Sequence, residues 1–143
     1  MAAARDWQPF RAAAHSGAAL MLAHVVLPGI DTAYPASLSK AVVQGLLRKE
    51  RDYQGLLPTD DLNMGAAYRL GIGHAAVAAL DAGVDMLLIS CDPDQYYRAM
   101  QASAGALRRG IPDPVQLAAS RQRIAAAAGV LVHPARMTAA SRR

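Results

Sequence analysis

The chain has 143 residues, enough for one domain that buries roughly 68–70% of its unfolded surface. With 53% hydrophobic and 18% charged residues it is not a disordered polymer. Its longest apolar run, Ala18 to Leu27, is broken by His24 and falls short of the ~20 residues that cross a bilayer. The net charge of +4 comes mostly from arginines spread along the chain, with few aromatics beside them, so neither a membrane nor a nucleic-acid partner is expected.

The single cysteine, Cys91, excludes an internal disulfide framework and a cysteine-cluster metal site. The four histidines, His15, His24, His74 and His133, are scattered without His-x-x-x-His spacing, so no metal or other cofactor is expected. Met-Ala-Ala-Ala-Arg-Asp-Trp-Gln-Pro lacks a charged region followed by an apolar stretch. No signal peptide is therefore expected, and the expected compartment is the cytoplasm.

Trp7 to Ala14 reads as the end of a helix, and His15-Ser16-Gly17 as a break. Ala18–Leu27 is apolar but for His24, the pattern of a strand buried on both faces of a parallel sheet, and Pro28-Gly29 ends it. A loop from Ile30 to Ala36 leads to Ser37 or Ser39, either of which can cap the next helix. Val42, Val43, Leu46 and Leu47 share one face of that helix, and Arg48, Lys49 and Arg51 suit its carboxyl end. Gln54 to Thr59 is the second strand. A helix from about Gly65 to Ala82 follows, with a break predicted near Gly71-Ile72-Gly73 and a left-handed cap at Gly83. Val84–Ser90 is the third strand, Pro93 opens a helix that Gly110 closes, and Asp113-Pro114 starts a last helix in which Leu117, Arg121 and Ile124 share a face. The order strand–helix–strand–helix–strand–helix–helix defines an α/β fold with parallel strands and helical crossovers. One domain is expected over 1–132, followed by a basic, frayed tail over 133–143.

Asp60 and Asp61 are the leading chemical candidates. Two adjacent carboxylates at the carboxyl end of a strand stand where α/β folds build their sites. They serve equally well as caps for the following helix, and spacing does not separate the two readings. Gly71-Ile72-Gly73-His74-Ala75-Ala76 fits Gly-x-Gly-x-x-Ala, but some ten residues of helix-like sequence separate it from the strand, which favours a helix kink or close packing over a dinucleotide. His24 ends the first strand on the ligand-bearing side, and a hydrogen-bonded strand-end histidine is its bland alternative. Asp31, Tyr34 and Ser37 share that loop. Asp92-Pro93-Asp94 reads as a helix start and Cys91 as a packed thiol.

Thr59-Asp60-Asp61-Leu62-Asn63-Met64-Gly65-Ala66-Ala67 resembles the nucleophile segment of glycoside hydrolase family 3, in its bacterial β-N-acetylhexosaminidase branch. Met21 to Val25, Asp31, and Pro35 to Ser39 resemble the family's sixth strand and its loop. Leu46 to Glu50 resembles the helix before the nucleophile strand, Ala82 to Leu88 the eighth strand, and Leu117 to Ile124 the closing helix. The resemblance implies a retaining glycosidase built on a (β/α)₈ TIM barrel, of which this chain holds about the last three βα units with helices on the outer face. By the same resemblance Asp60 attacks the anomeric carbon, Asp61 neighbours it, Met64 walls the pocket and His24 lies at its rim. The implied substrate is a β-linked N-acetylhexosaminide, with cell-wall muropeptide fragments as the natural class.

The family's Lys-His-Phe-Pro-Gly-His-Gly segment and its Asp-Ser-His acid/base loop have no counterpart here. Arg51-Asp52-Tyr53 replaces the usual Leu-Gly-Phe, and Pro58 enters what should be an interior strand. The expectation is a truncated wall that self-associates or pairs with the rest of a barrel, and that turns over little substrate alone. A non-catalytic interaction or sugar-binding module is the alternative.

Overall fold

The computed structural model describes residues 8–132, so the expectations for Trp7 and for the 133–143 tail lie outside the described residues. The first helix, α1, spans Gln8–His15. The expected strand Ala18–Leu27 is split. Its first half runs beside β3 (Pro58–Asp61), and its second half turns away as β1 (Val26–Leu27), an antiparallel partner of β2 (Asp31–Pro35). Pro28-Gly29 makes the turn that brings β2, a stretch expected to be loop, back against β1.

β3 is the middle of a three-stranded parallel wall. On one side the amides of Leu20 and Leu22 donate to the carbonyls of Leu56 and Pro58 at 3.0 and 2.8 Å, and the Asp60 amide donates to Leu22 O at 2.9 Å. On the other side β3 pairs in parallel with β4 (Met86–Leu88), aligning Pro58 with Met86 and Asp61 with Leu88. Pro58 is tolerated because it enters the ladder through its carbonyl, and a proline has no N–H to lose. Asp60 and Asp61 thus lie within the second strand rather than just after it.

The crossovers are helical. Ala36–Leu38 forms a 3₁₀ turn and Ala41–Glu50 a wide π-helical segment, in which the Arg51 amide reaches back five residues to Leu46 O at 2.9 Å. Val42, Val43, Leu46 and Leu47 form its buried face, as their spacing requires. Ser39 rather than Ser37 caps its start, its hydroxyl accepting from the Val42 amide at 3.2 Å. Asp52 stands in the left-handed region at φ +51, a conformation that favours glycine. Aspartate tolerates that conformation, and its carboxylate accepts from Gln54 Nε2 at 2.6 Å.

After β3 come α2 (Gly65–Arg69) and α3 (Ile72–Ala82), broken at Gly71 with φ +81. Gly73 faces the helix α4 (Pro93–Arg108) so closely that a Cβ there would lie 3.0 Å from the Ala102 methyl. The Gly-x-Gly run is therefore a helix break followed by a helix–helix contact. Gly83 ends α3 at φ +101, as its position predicts. Asp92 caps α4, accepting from the Asp94 amide at 2.9 Å with Pro93 in the first turn, and α5 (Pro114–Val132) closes the described chain.

The core fills the space between the wall and its helices. Leu22, Leu57, Thr59 and Val84 of the wall meet Val43, Leu47, Ala75, Ala76 and Ala79. The run of small alanines lets α3 lie close against the sheet. The wall's other face is open: Met21, Met86 and Leu88 are 59%, 46% and 43% exposed. The apolar runs expected to be buried on both faces are covered on one.

Candidate active site

The carboxyl ends of the three wall strands bring His24, Asp60, Asp61 and Ser90 together. Residues alternate across a strand. Thr59 points into the core, and Asp60 stands on the same open side as Met21, Met86 and Leu88. One of its carboxylate oxygens accepts the Asp61 amide at 2.8 Å. Among the described residues nothing binds the other.

Asp61 is occupied on every side. Its Oδ1 accepts from the amides of Asn63 at 3.0 Å and Ser90 at 3.2 Å, and its Oδ2 accepts from the Ser90 hydroxyl. Burial works against the charge, but the bonds from Ser90 and Asn63, with His24 nearby, outweigh it and hold the Asp61 carboxyl below the usual carboxylate value. Neither aspartate caps α2, which begins without a side-chain cap at Met64. Asp61 instead makes an Asx turn, and its carbonyl accepts the Met64 amide at 2.9 Å. Asn63 Nδ2 donates to Ser90 O, while its own carbonyl oxygen is buried and unpartnered among the described residues.

Both ring nitrogens of His24 are engaged. Nε2 lies 2.8 Å from Asp61 O, and Nδ1 lies 2.6 Å from the Ser37 hydroxyl. The Met64 side chain is half exposed beside this cluster. Asp31 and Tyr34 do other work, and Cys91, expected to be a packed thiol, is exposed instead. Asp31 accepts from the Ser39 hydroxyl and from the amides of Ala33 and Tyr34, bonds that lower its pKa in that order of importance. Tyr34 stacks on His74 at 6.4 Å, and Cys91 is exposed at φ +66. Among the described residues no cluster of three or more His, Cys, Asp or Glu could hold a metal, and no helix is long and apolar enough to cross a membrane.

Two features escaped sequence reasoning. Ser90 was visible only as the end of an apolar run, though Asn63 two residues after Asp61 is the spacing of an Asx turn. The second is a buried charge cluster at the opposite end of the strands. Asp85, with a fully buried side chain, binds Arg48 and Arg123 at 2.8 Å each, the Ser120 hydroxyl at 2.7 Å and the Leu57 amide at 2.9 Å. Arg48 also donates to the carbonyls of Tyr53 and Gly55 at 2.7 Å. Burial holds its guanidinium below the usual range, with Asp85 offsetting only part of that lowering.

A parallel wall, helices on one face and carboxylates at the strands' carboxyl ends define an α/β, TIM-barrel-like protein. The sequence model described as "Glycosyl hydrolase family 3 N terminal domain" matches residues 3–127, and the chain belongs to that family. It is similar to a beta-hexosaminidase of Thiobacillus denitrificans, 44% identical over 91 residues that make up 62% of this chain and 25% of that protein. It is also similar to a beta-hexosaminidase of Stenotrophomonas maltophilia, 39% identical over 104 residues, 71% of this chain and 30% of that protein. A solved glycoside hydrolase family 3 beta-N-acetylglucosaminidase from a Paenibacillus species superimposes with a TM-score of 0.79 at 37% identity, covering 82% of this chain and 23% of that one. The chain thus spans between a quarter and a third of the length of these curated relatives.

Proposed function

We propose that this chain carries the nucleophile of a retaining β-N-acetylhexosaminidase, and that Asp60 is that nucleophile. The observation that carries the reading is the position of Asp60. It projects from the open face at the carboxyl end of the middle strand, with one oxygen tied to the Asp61 amide and the other uncommitted. An oriented carboxylate with a free oxygen can attack an anomeric carbon, displace the leaving oxygen and form a glycosyl ester that water then hydrolyses. On the same reading Met64, half exposed three residues after Asp61, walls the sugar's pocket.

The proton for the leaving oxygen comes from outside the described residues, because His24 has both nitrogens committed within the chain. The same reading makes the wall the last three strands of a barrel. Its open face and a cleft of about 710 Å³ along the free edge of the first strand, lined by Phe10, Leu20, Met21 and Val25, support a further strand packing there.

The test separates attack from protonation. A 5-fluoro N-acetylglucosaminyl fluoride loses fluoride without acid assistance. It is expected to add one sugar to the intact protein, mapped by peptide mass spectrometry to Asp60 and abolished in Asp60→Ala. Hydrolysis of unactivated N-acetylglucosaminides by this chain should stay near background. No adduct, or an adduct elsewhere, overturns the assignment.

A further inference from the structure

We infer that His24 is a positioning residue for Asp60, acting through the backbone of residue 61 rather than on a sugar; the inference rests on Asp60 being the nucleophile.

Asp61 O can only accept a hydrogen bond, so His24 Nε2, 2.8 Å away, carries the ring proton. In the neutral ring Nδ1 is then an acceptor, and the Ser37 hydroxyl at 2.6 Å donates to it. Ser37 is completely buried, so no water competes for that bond. The tautomer is therefore set by two partners, one from the first strand's crossover and one from the middle strand.

The consequence falls on residue 61, which is gripped at two points. Its carbonyl accepts from His24 and from the Met64 amide, and its carboxylate is tied to Ser90 and Asn63. With both ends held, its N–H keeps one direction, toward Asp60 Oδ1 at 2.8 Å. That bond turns the other Asp60 oxygen outward. His24 thus links the carboxyl end of the first strand to the orientation of a carboxylate on the second, and Ser90 closes the link to β4. Donors fixed before reaction need no reorganisation when charge shifts on the carboxylate.

The experiment uses the whole chain and two independent readouts. Nitrogen-15 spectra of the His24 ring report the tautomer, and the Asp61 amide proton reports its bond to Asp60. Labelling by the fluorosugar reports attack. Wild type is expected to show the Nε2–H form. His24→Leu should move the Asp61 amide resonance upfield, speed its exchange, and slow labelling by about ten- to a hundredfold, the scale of a small misplacement of a reacting group. His24→Gln, which keeps an N–H in place of Nε2, should restore both. Ser37→Ala, a milder change, should let the His24 ring sample the other tautomer. An Nδ1–H ring in wild type, or an Asp61 amide unmoved in a folded His24→Leu chain, overturns the inference. If wild type takes no label while the amide still answers to His24, the brace stands and the nucleophile assignment falls.

Discussion

Adjacent residues of the same type have opposite situations here. Asp60 keeps one oxygen uncommitted on the open face, whereas Asp61 spends its carboxylate on Ser90 and Asn63. The difference is the strand's two-residue alternation combined with where the neighbouring strand ends, since only the Asp61 side chain meets Ser90. The depressed pKa of Asp61 has a consequence for stability. A carboxyl whose folded pKa lies below its ordinary value of 3.8 stabilises the fold above that pH, and this contribution is lost as pH falls through the folded value. Asp61→Asn should therefore flatten the acid limb of a melting-temperature profile below about pH 4. An unchanged limb would show that the carboxylate contributes nothing there.

Elements meet through one buried charge. Asp85 at the start of β4 joins the π-helical segment through Arg48 and α5 through Arg123 and Ser120, and also accepts the Leu57 amide just before β3. Removing it strands two mostly buried guanidiniums and an amide. Asp85→Ala should cost about 3–5 kcal/mol in urea denaturation, since breaking a buried pair leaves uncompensated charge. The cluster lies at the amino ends of the strands, away from Asp60, the side where barrel-type folds concentrate stability rather than chemistry. Its loss should therefore show in the unfolding midpoint before any effect on Asp60 itself.

At the scale of the whole molecule, the described residues leave one face of the wall uncovered. Met21, Met86 and Leu88 stand in the open between two edges that no other described strand pairs, a combination that drives association. Light scattering of this chain should give a mass at least that of a dimer, and Met86→Lys with Leu88→Lys should shift it toward monomer. A monodisperse wild-type monomer with a cooperative melt would count against an unfilled barrel wall.

Much of this was legible in the residues. Local signals fixed the punctuation: Gly71 and Gly83 at helix breaks, Asp92-Pro93 at a helix start, and the buried Val42, Val43, Leu46 and Leu47 stripe. They were legible because conformational limits on glycine and proline, and helical periodicity, act within a few residues. The segment around Asp60 drew attention for a different reason, its resemblance to a family's nucleophile segment, since spacing alone left the two aspartates as catalyst or cap. The bonds from His24 to Asp61, from Asp61 to Ser90, and from Asp85 to Arg48 and Arg123 were not legible. They join residues 29 or more apart, and no local preference encodes such a meeting. The sequence determined the helices and the main turns, because those choices are made by each residue's own backbone and its near neighbours; the hairpin of β1 and β2, expected as strand end and loop, was set by pairing. Only the tertiary structure decided which aspartate is bound and which is free, because that depends on where separate strands end beside one another.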